Sequence, residues 1–204
     1  MNGALPKLQG MSNTFTFSSG TPVADAGRYS PVAMVLHWVM ALGLIGLIGF
    51  GVYMTELPFS PTRLKYYNWH KWAGMTLLAL LVLRVVWRWF SPPPALPLAI
   101  EAAMPAWQRL AHHATHAGLY GLMAAVPMLG WAYSSAAGFP VVWFGVLPLP
   151  DLVSPSPDLA QALKPFHKLS AFALVALVAL HVAAALKHQL IDRDGLLQRM
   201  WPGR

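Results

Sequence analysis

The chain has 204 residues, of which 56% are hydrophobic and only 10% charged, with mean hydropathy +0.49. A soluble domain usually carries about 25% charged residues, so this composition points to an integral membrane protein, one domain of four or five spans. The absence of cysteine excludes disulfides and iron–sulfur ligation, and the net charge of +7 flanks apolar segments, which suits lipid headgroups and not nucleic acid.

Residues 1–28 are polar and rich in Ser, Thr, Gly and Pro, with no basic stretch leading into a hydrophobic core. They read as a disordered cytoplasmic N-terminal tail without a cleaved signal peptide, ahead of a membrane domain over residues 29–204. The first expected span covers Val32–Tyr53 and holds one histidine and no charge. The second covers Asn68–Phe90. Its charge-free stretch is short, but Arg84 and Arg88 can snorkel to the interface, and Ser91-Pro92-Pro93-Pro94 ends it. The third covers His112–Ala137, with Pro127 predicting a kink. The fourth covers Phe166–Leu190 and is the most apolar. Residues 138–165 contain several prolines and an apolar patch, Val141–Leu149, which suits the interface or a helical hairpin but is too short for a fifth span. The expected fold class is therefore all-α, an integral membrane four-helix bundle.

Lys and Arg set the orientation. With four spans both termini share a side, which collects Lys7, Arg28, Arg84, Arg88, Arg109, Lys187, Arg193, Arg199 and Arg204. The other side has Arg63, Lys65, Lys71, Lys164 and Lys168. The positive-inside rule puts both termini in the cytoplasm.

On that topology four histidines fall at matched depths. His167 and His181 are 14 residues apart, nearly four helical turns, so they share one face about 21 Å apart. His37 lies near the inner end of its span, as His181 does. His70 and His167 both open spans on the outer side. His37 is thus expected to meet His181, and His70 to meet His167. A single intramembrane histidine is as often a satisfied polar contact as a functional group. Two depth-matched pairs are what a bundle needs to hold two stacked b-type haems, each iron taking two neutral imidazoles and keeping no open position. Arg84 follows His70 by 14 residues and suits a haem propionate or a plain interfacial anchor. Gly51 and Gly130 follow His37 and His116 by the same step, at the outer haem's depth, and Gly74 follows His70 by one turn. His112, His113 and His116 read mainly as interfacial, with metal ligation or a quinone pocket as alternatives. His188 lies on the His181 face near water. Trp38, Trp69 and Trp72 flank ligand candidates, with packing as their default role.

Arg28-Tyr29-Ser30, His37-Trp38, Asn68-Trp69-His70-Lys71-Trp72-Ala73-Gly74, His113-x-x-His116, Pro127-x-x-Gly130, Phe166-His167 and His181 through His188 together resemble the bacterial cytochrome b561 family over about residues 28–200. The resemblance implies a four-helix cytochrome of the bacterial inner membrane with two haem b groups, ligated by His37 with His181 and by His70 with His167. It also implies quinone chemistry. Some members resemble superoxide oxidases, which pass electrons from superoxide to ubiquinone. The cationic outer face is suited to drawing in a small anion.

Three functions compete. The first is a freestanding oxidoreductase taking single electrons from an outer-face donor, superoxide, to ubiquinone. The second is a haem b quinone-facing subunit of a larger dehydrogenase or hydrogenase complex, with a protein redox partner. The third is a His-lined metal or proton carrier without haem, disfavoured because the spans hold no Asp or Glu.

Overall fold

A computed structural model describes residues 27–201 and residue 203. The expected tail at residues 1–26, and the cations Lys7 and Arg204, lie outside the described residues.

Four long helices dominate: α1 (Pro31–Glu56), α2 (Pro61–Phe90), α4 (Ala106–Ala136) and α5 (Pro157–Lys187), with a short α3 (Leu98–Ala103) between α2 and α4. Three of the long helices start on the same device. Ser30, Ser60 and Ser156 are N-caps whose hydroxyls accept from the N–H groups of Ala33, Arg63 and Leu159, and a proline follows each. The serine satisfies a donor that the helix cannot, and the proline supplies a preset φ where no N–H is needed. These caps place α2 and α5 starts earlier than expected from hydropathy, by seven and nine residues. Pro165, expected in a loop, lies inside α5. The hydropathy signal begins only where the chain enters lipid, whereas the helix begins outside it.

At the other end, α2 stops at Ser91 ahead of three prolines, where the Ser91 N–H still donates to Trp87 O at 2.8 Å. The α5 helix passes into a π-helical turn, His188–Asp192. Arg193 then adopts a left-handed conformation, φ 52°, and reverses the chain. A 3-10 turn, Leu197–Met200, follows.

By length and composition α1, α2 and Pro157–Asp192 can each cross a membrane, with mean hydropathies of 2.2, 1.6 and 2.4. The fourth expected span lies on α4, which has 31 residues and is about 46 Å long. It is less apolar because it carries histidines and serines. Large apolar side chains stand outward all round, among them Leu42 at 69% exposure and Leu169 at 68%. That is the surface of a bundle solvated by lipid. The chain is an all-α membrane bundle.

The packing is uneven. The α4 helix lies along α5, α1 along α2, and α2 against α4, while α5 approaches α1 and α2 more sparsely. The gap on that side contains the histidines. The segment at 141–149, read as an interfacial patch or helical hairpin, is a short antiparallel ladder, β1 (Val142–Trp143) with β2 (Leu147–Pro148). Phe144 and Gly145 turn it with φ of 53° and 75°. It is pinned to α2: Trp72 Nε1–H donates to Val142 O at 2.5 Å and Trp143 Nε1–H to Thr76 Oγ1 at 3.2 Å.

Candidate functional site

The sparse side of the bundle holds two facing imidazole pairs. His37 on α1 and His181 on α5 have ring centroids 6.3 Å apart with planes at 68°. His70 on α2 and His167 on α5 are 6.4 Å apart at 89°. Metal–imidazole bonds are about 2 Å and each ring centre lies about 1 Å behind its nitrogen, so two rings on opposite sides of one metal would stand about 6 Å apart. Both separations fit that spacing. Three helices, α1, α2 and α5, therefore bring together the residues that the sequence paired.

The His70–His167 pair lies further along its helices than expected, because both helices begin before their apolar stretches. His70 is nine residues and His167 ten residues past the starts of α2 and α5, not in the first turn. His167 Nδ1–H donates to Val126 O at 2.9 Å, which leaves Nε2 as the nitrogen with a lone pair to offer. His70 Nδ1 is buried without a hydrogen-bond partner. Glycines seat both rings. A Cβ on Gly51 would lie 3.0 Å from His70 Cε1, and one on Gly130 would lie 3.0 Å from His167 Cε1. A Cβ on Gly74, by contrast, would meet nothing within 4 Å.

The inner pair has more company. Arg84 donates to Ala33 O at 3.0 Å and to Tyr120 Oη at 3.1 Å, with Nη2 3.5 Å from His37 Nδ1. A small recess lined by Tyr29, Arg84, Arg88, Ser91 and Tyr120 opens beside it. His116 stands 5.2 Å from His181, edge to face. That is closer than two rings on opposite sides of one metal would stand, so His116 is a neighbour of the His37–His181 pair. Its Nδ1–H donates to His112 O at 2.8 Å, and the His112 ring lies 4.5 Å away. From the sequence these histidines read mainly as interfacial, with metal ligation or a quinone pocket as alternatives. The overlooked signal is the four-residue step His112, His116, Tyr120, which puts all three on one face of α4.

His188 points elsewhere. Its Nδ1–H donates to Asp194 Oδ2 at 2.6 Å, with Asp192 Oδ2 at 3.1 Å and Lys187 bound to Asp192. The two aspartates were not singled out from the sequence, because only the π-helical turn and the reversal at Arg193 bring them back to His188. Among the flanking tryptophans, Trp38 donates to Met200 O at 2.8 Å and Trp72 to the hairpin, while Trp69 lies under Lys65.

A helical membrane bundle with two imidazole pairs at this spacing has the arrangement that suits a membrane electron carrier. The comparisons narrow this. A family model described as prokaryotic cytochrome b561 matches residues 28–203, and the chain belongs to that family. It is 34% identical over 180 residues to cytochrome b561 homolog 2 of Escherichia coli, covering 85% of this chain and 90% of the relative. Cytochrome b561 homolog 1 of the same organism is 30% identical, covering 87% and 98%. A Yersinia pestis protein named probable superoxide oxidase CybB is 29% identical, covering 86% and 96%. The family is one of membrane electron transfer through haem b.

Proposed function

We propose that the chain is a di-haem b cytochrome of the bacterial inner membrane that carries single electrons from superoxide at the outer face to ubiquinone. Residues 29–204 form its one membrane domain, with both termini in the cytoplasm. The observation that carries this reading is the pair of centroid distances, 6.3 and 6.4 Å, at two levels of one helix.

Bound at these levels, the haems supply reversible one-electron redox chemistry. The protein's own residues do the rest. His37 with His181, and His70 with His167, would each hold one haem through two neutral nitrogens. Val126 O fixes the His167 tautomer. Gly51 and Gly130 let the imidazoles lie against backbone where a side chain would push them away. Arg84 places a guanidinium beside the inner pair, suited to a carboxylate of the macrocycle. The 14-residue step sets the two levels about 21 Å apart, close enough for the pairs to act in series across the bilayer. The Yersinia relative's name supports superoxide as donor, and the outer-face cations favour an anion.

The test is purified protein with His181→Ala beside it. Wild type should show two haems b per chain by pyridine haemochromogen assay and be reduced by superoxide without any partner subunit. His181→Ala should keep one haem. Retention of both haems in the variant would break the pairing. Electron transfer only in the presence of a copurifying large subunit would favour the subunit reading.

A further inference from the structure

Arg199 is 6% exposed, although it carries a permanent charge. Its guanidinium is surrounded by backbone carbonyls: Nε donates to Gly27 O at 3.0 Å, and Nη2 to Pro94 O at 3.1 Å and Ala95 O at 2.8 Å. Its own carbonyl accepts from the Tyr29 N–H at 3.3 Å. One side chain thus joins the C-terminal 3-10 turn to the segment entering α1 and to the link between α2 and α3. A buried cation balanced by carbonyl dipoles is tolerated only while those partners stay in place.

The residues after it continue the attachment. Met200 O accepts from Trp38 Nε1–H at 2.8 Å, and Trp201 O from Arg28 Nη2 at 2.7 Å. The Trp201 ring stands edge-on to Trp38 at 5.3 Å. The Trp38 ring in turn lies 5.4 Å from His37 at 77°. The contacts therefore run from Arg199 through Met200 and Trp38 to the inner imidazole pair.

We propose that Leu197–Trp201 is a strap that positions α1, and with it His37, at the separation from His181 that a six-coordinate inner haem requires. Arg199 is its lock and Trp38 its link. The proposal rests on the reading of His37 and His181 as an axial pair. The need for a strap follows from the packing. The α1 and α5 helices approach each other sparsely, so their own contact does not set the spacing of two ligands, one on each. The tolerance of an axial site is a fraction of an ångström. Arg199 and Trp38 are positioning residues, since neither is a ligand.

Carbon monoxide reads the spacing directly, because it binds ferrous haem only where an axial position is open. The full-length, haem-loaded protein in detergent is reduced with dithionite and exposed to carbon monoxide, for wild type, Arg199→Ala, Arg199→Lys and Trp38→Phe. Wild type should show no Soret shift. Arg199→Ala should keep both haems and shift about half of the Soret amplitude, one haem of two. Trp38→Phe should shift less, and Arg199→Lys, which still donates to carbonyls, should return toward wild type. Arg199→Ala with two haems and no response overturns the strap. So does a response shared by both haems, which would be general loosening. If Arg199→Ala does not fold, Trp38→Phe decides by the same criteria. A wild-type protein that itself binds carbon monoxide refutes the axial-pair reading, and the strap with it.

Discussion

Gly130 and Gly51 test the outer site with one methyl group each. A Cβ at 3.0 Å from an imidazole carbon forces the ring to move by a few tenths of an ångström. His167 has little freedom to do so, because its Nδ1–H is committed to Val126 O. On the proposed di-haem reading, Gly130→Ala should therefore weaken the haem held by His70 and His167 and leave the other, seen as a change confined to one of two components in a low-temperature α-band spectrum. Gly74→Ala, where the added methyl meets nothing, should leave both bands in place. An unchanged spectrum in Gly130→Ala would show that the glycine does not seat the ring. These glycines were legible in the sequence as a 14-residue step, and so were the four histidines and Arg84. Asp194 and the burial of Arg199 were not, since each depends on a chain reversal that no periodicity announces, and Asp192 meets His188 through a π-helical turn.

At the scale of elements, the three Ser-Pro starts are not equivalent. Ser60 and Ser156 each accept from one helical N–H. Ser30 accepts from Ala33 N–H and also from Trp87 Nε1–H at 2.9 Å, so it ties α1 to α2. Ser60→Ala should cost about 1 kcal/mol, the usual value of a cap. Ser30→Ala should cost more, by about 1–3 kcal/mol, because it also leaves an indole donor without its partner. Thermal unfolding in one detergent should rank Ser30→Ala below Ser60→Ala, and equal midpoints would deny the tie. The same serines explain why element existence was easier to read than element bounds. Apolar runs gave four long helices in the right order, but hydropathy cannot see a helix that starts in water at Ser60 or Ser156. Nor does an apolar patch with prolines reveal that Trp72 and Trp143 will pin a β-turn where a helical hairpin had seemed open.

For the whole molecule the field of the face that the proposed topology turns outward is the property to test, and the structure shows which cations can be altered. Lys71 is not a free surface charge. Its Nζ donates to Ser134 Oγ at 3.3 Å, to Phe139 O at 3.4 Å and to Pro140 O at 3.2 Å, so neutralising it would disturb the loop over the outer pair. Lys164 and Lys168 are exposed and flank His167 on α5. Lys168 Nζ lies 6.0 Å from the Phe172 ring, a contact that costs little to lose. Lys164→Gln with Lys168→Gln removes two of five outer cations while the histidine geometry stays. Steering acts on encounter, so the rate of haem reduction by superoxide should fall several-fold at low ionic strength and converge with wild type at high salt. Reduction by duroquinol, an uncharged donor, should not change. A superoxide rate unaffected at every salt concentration would mean that the outer field does not guide the donor. A parallel loss with both donors would point instead to damage at the outer pair.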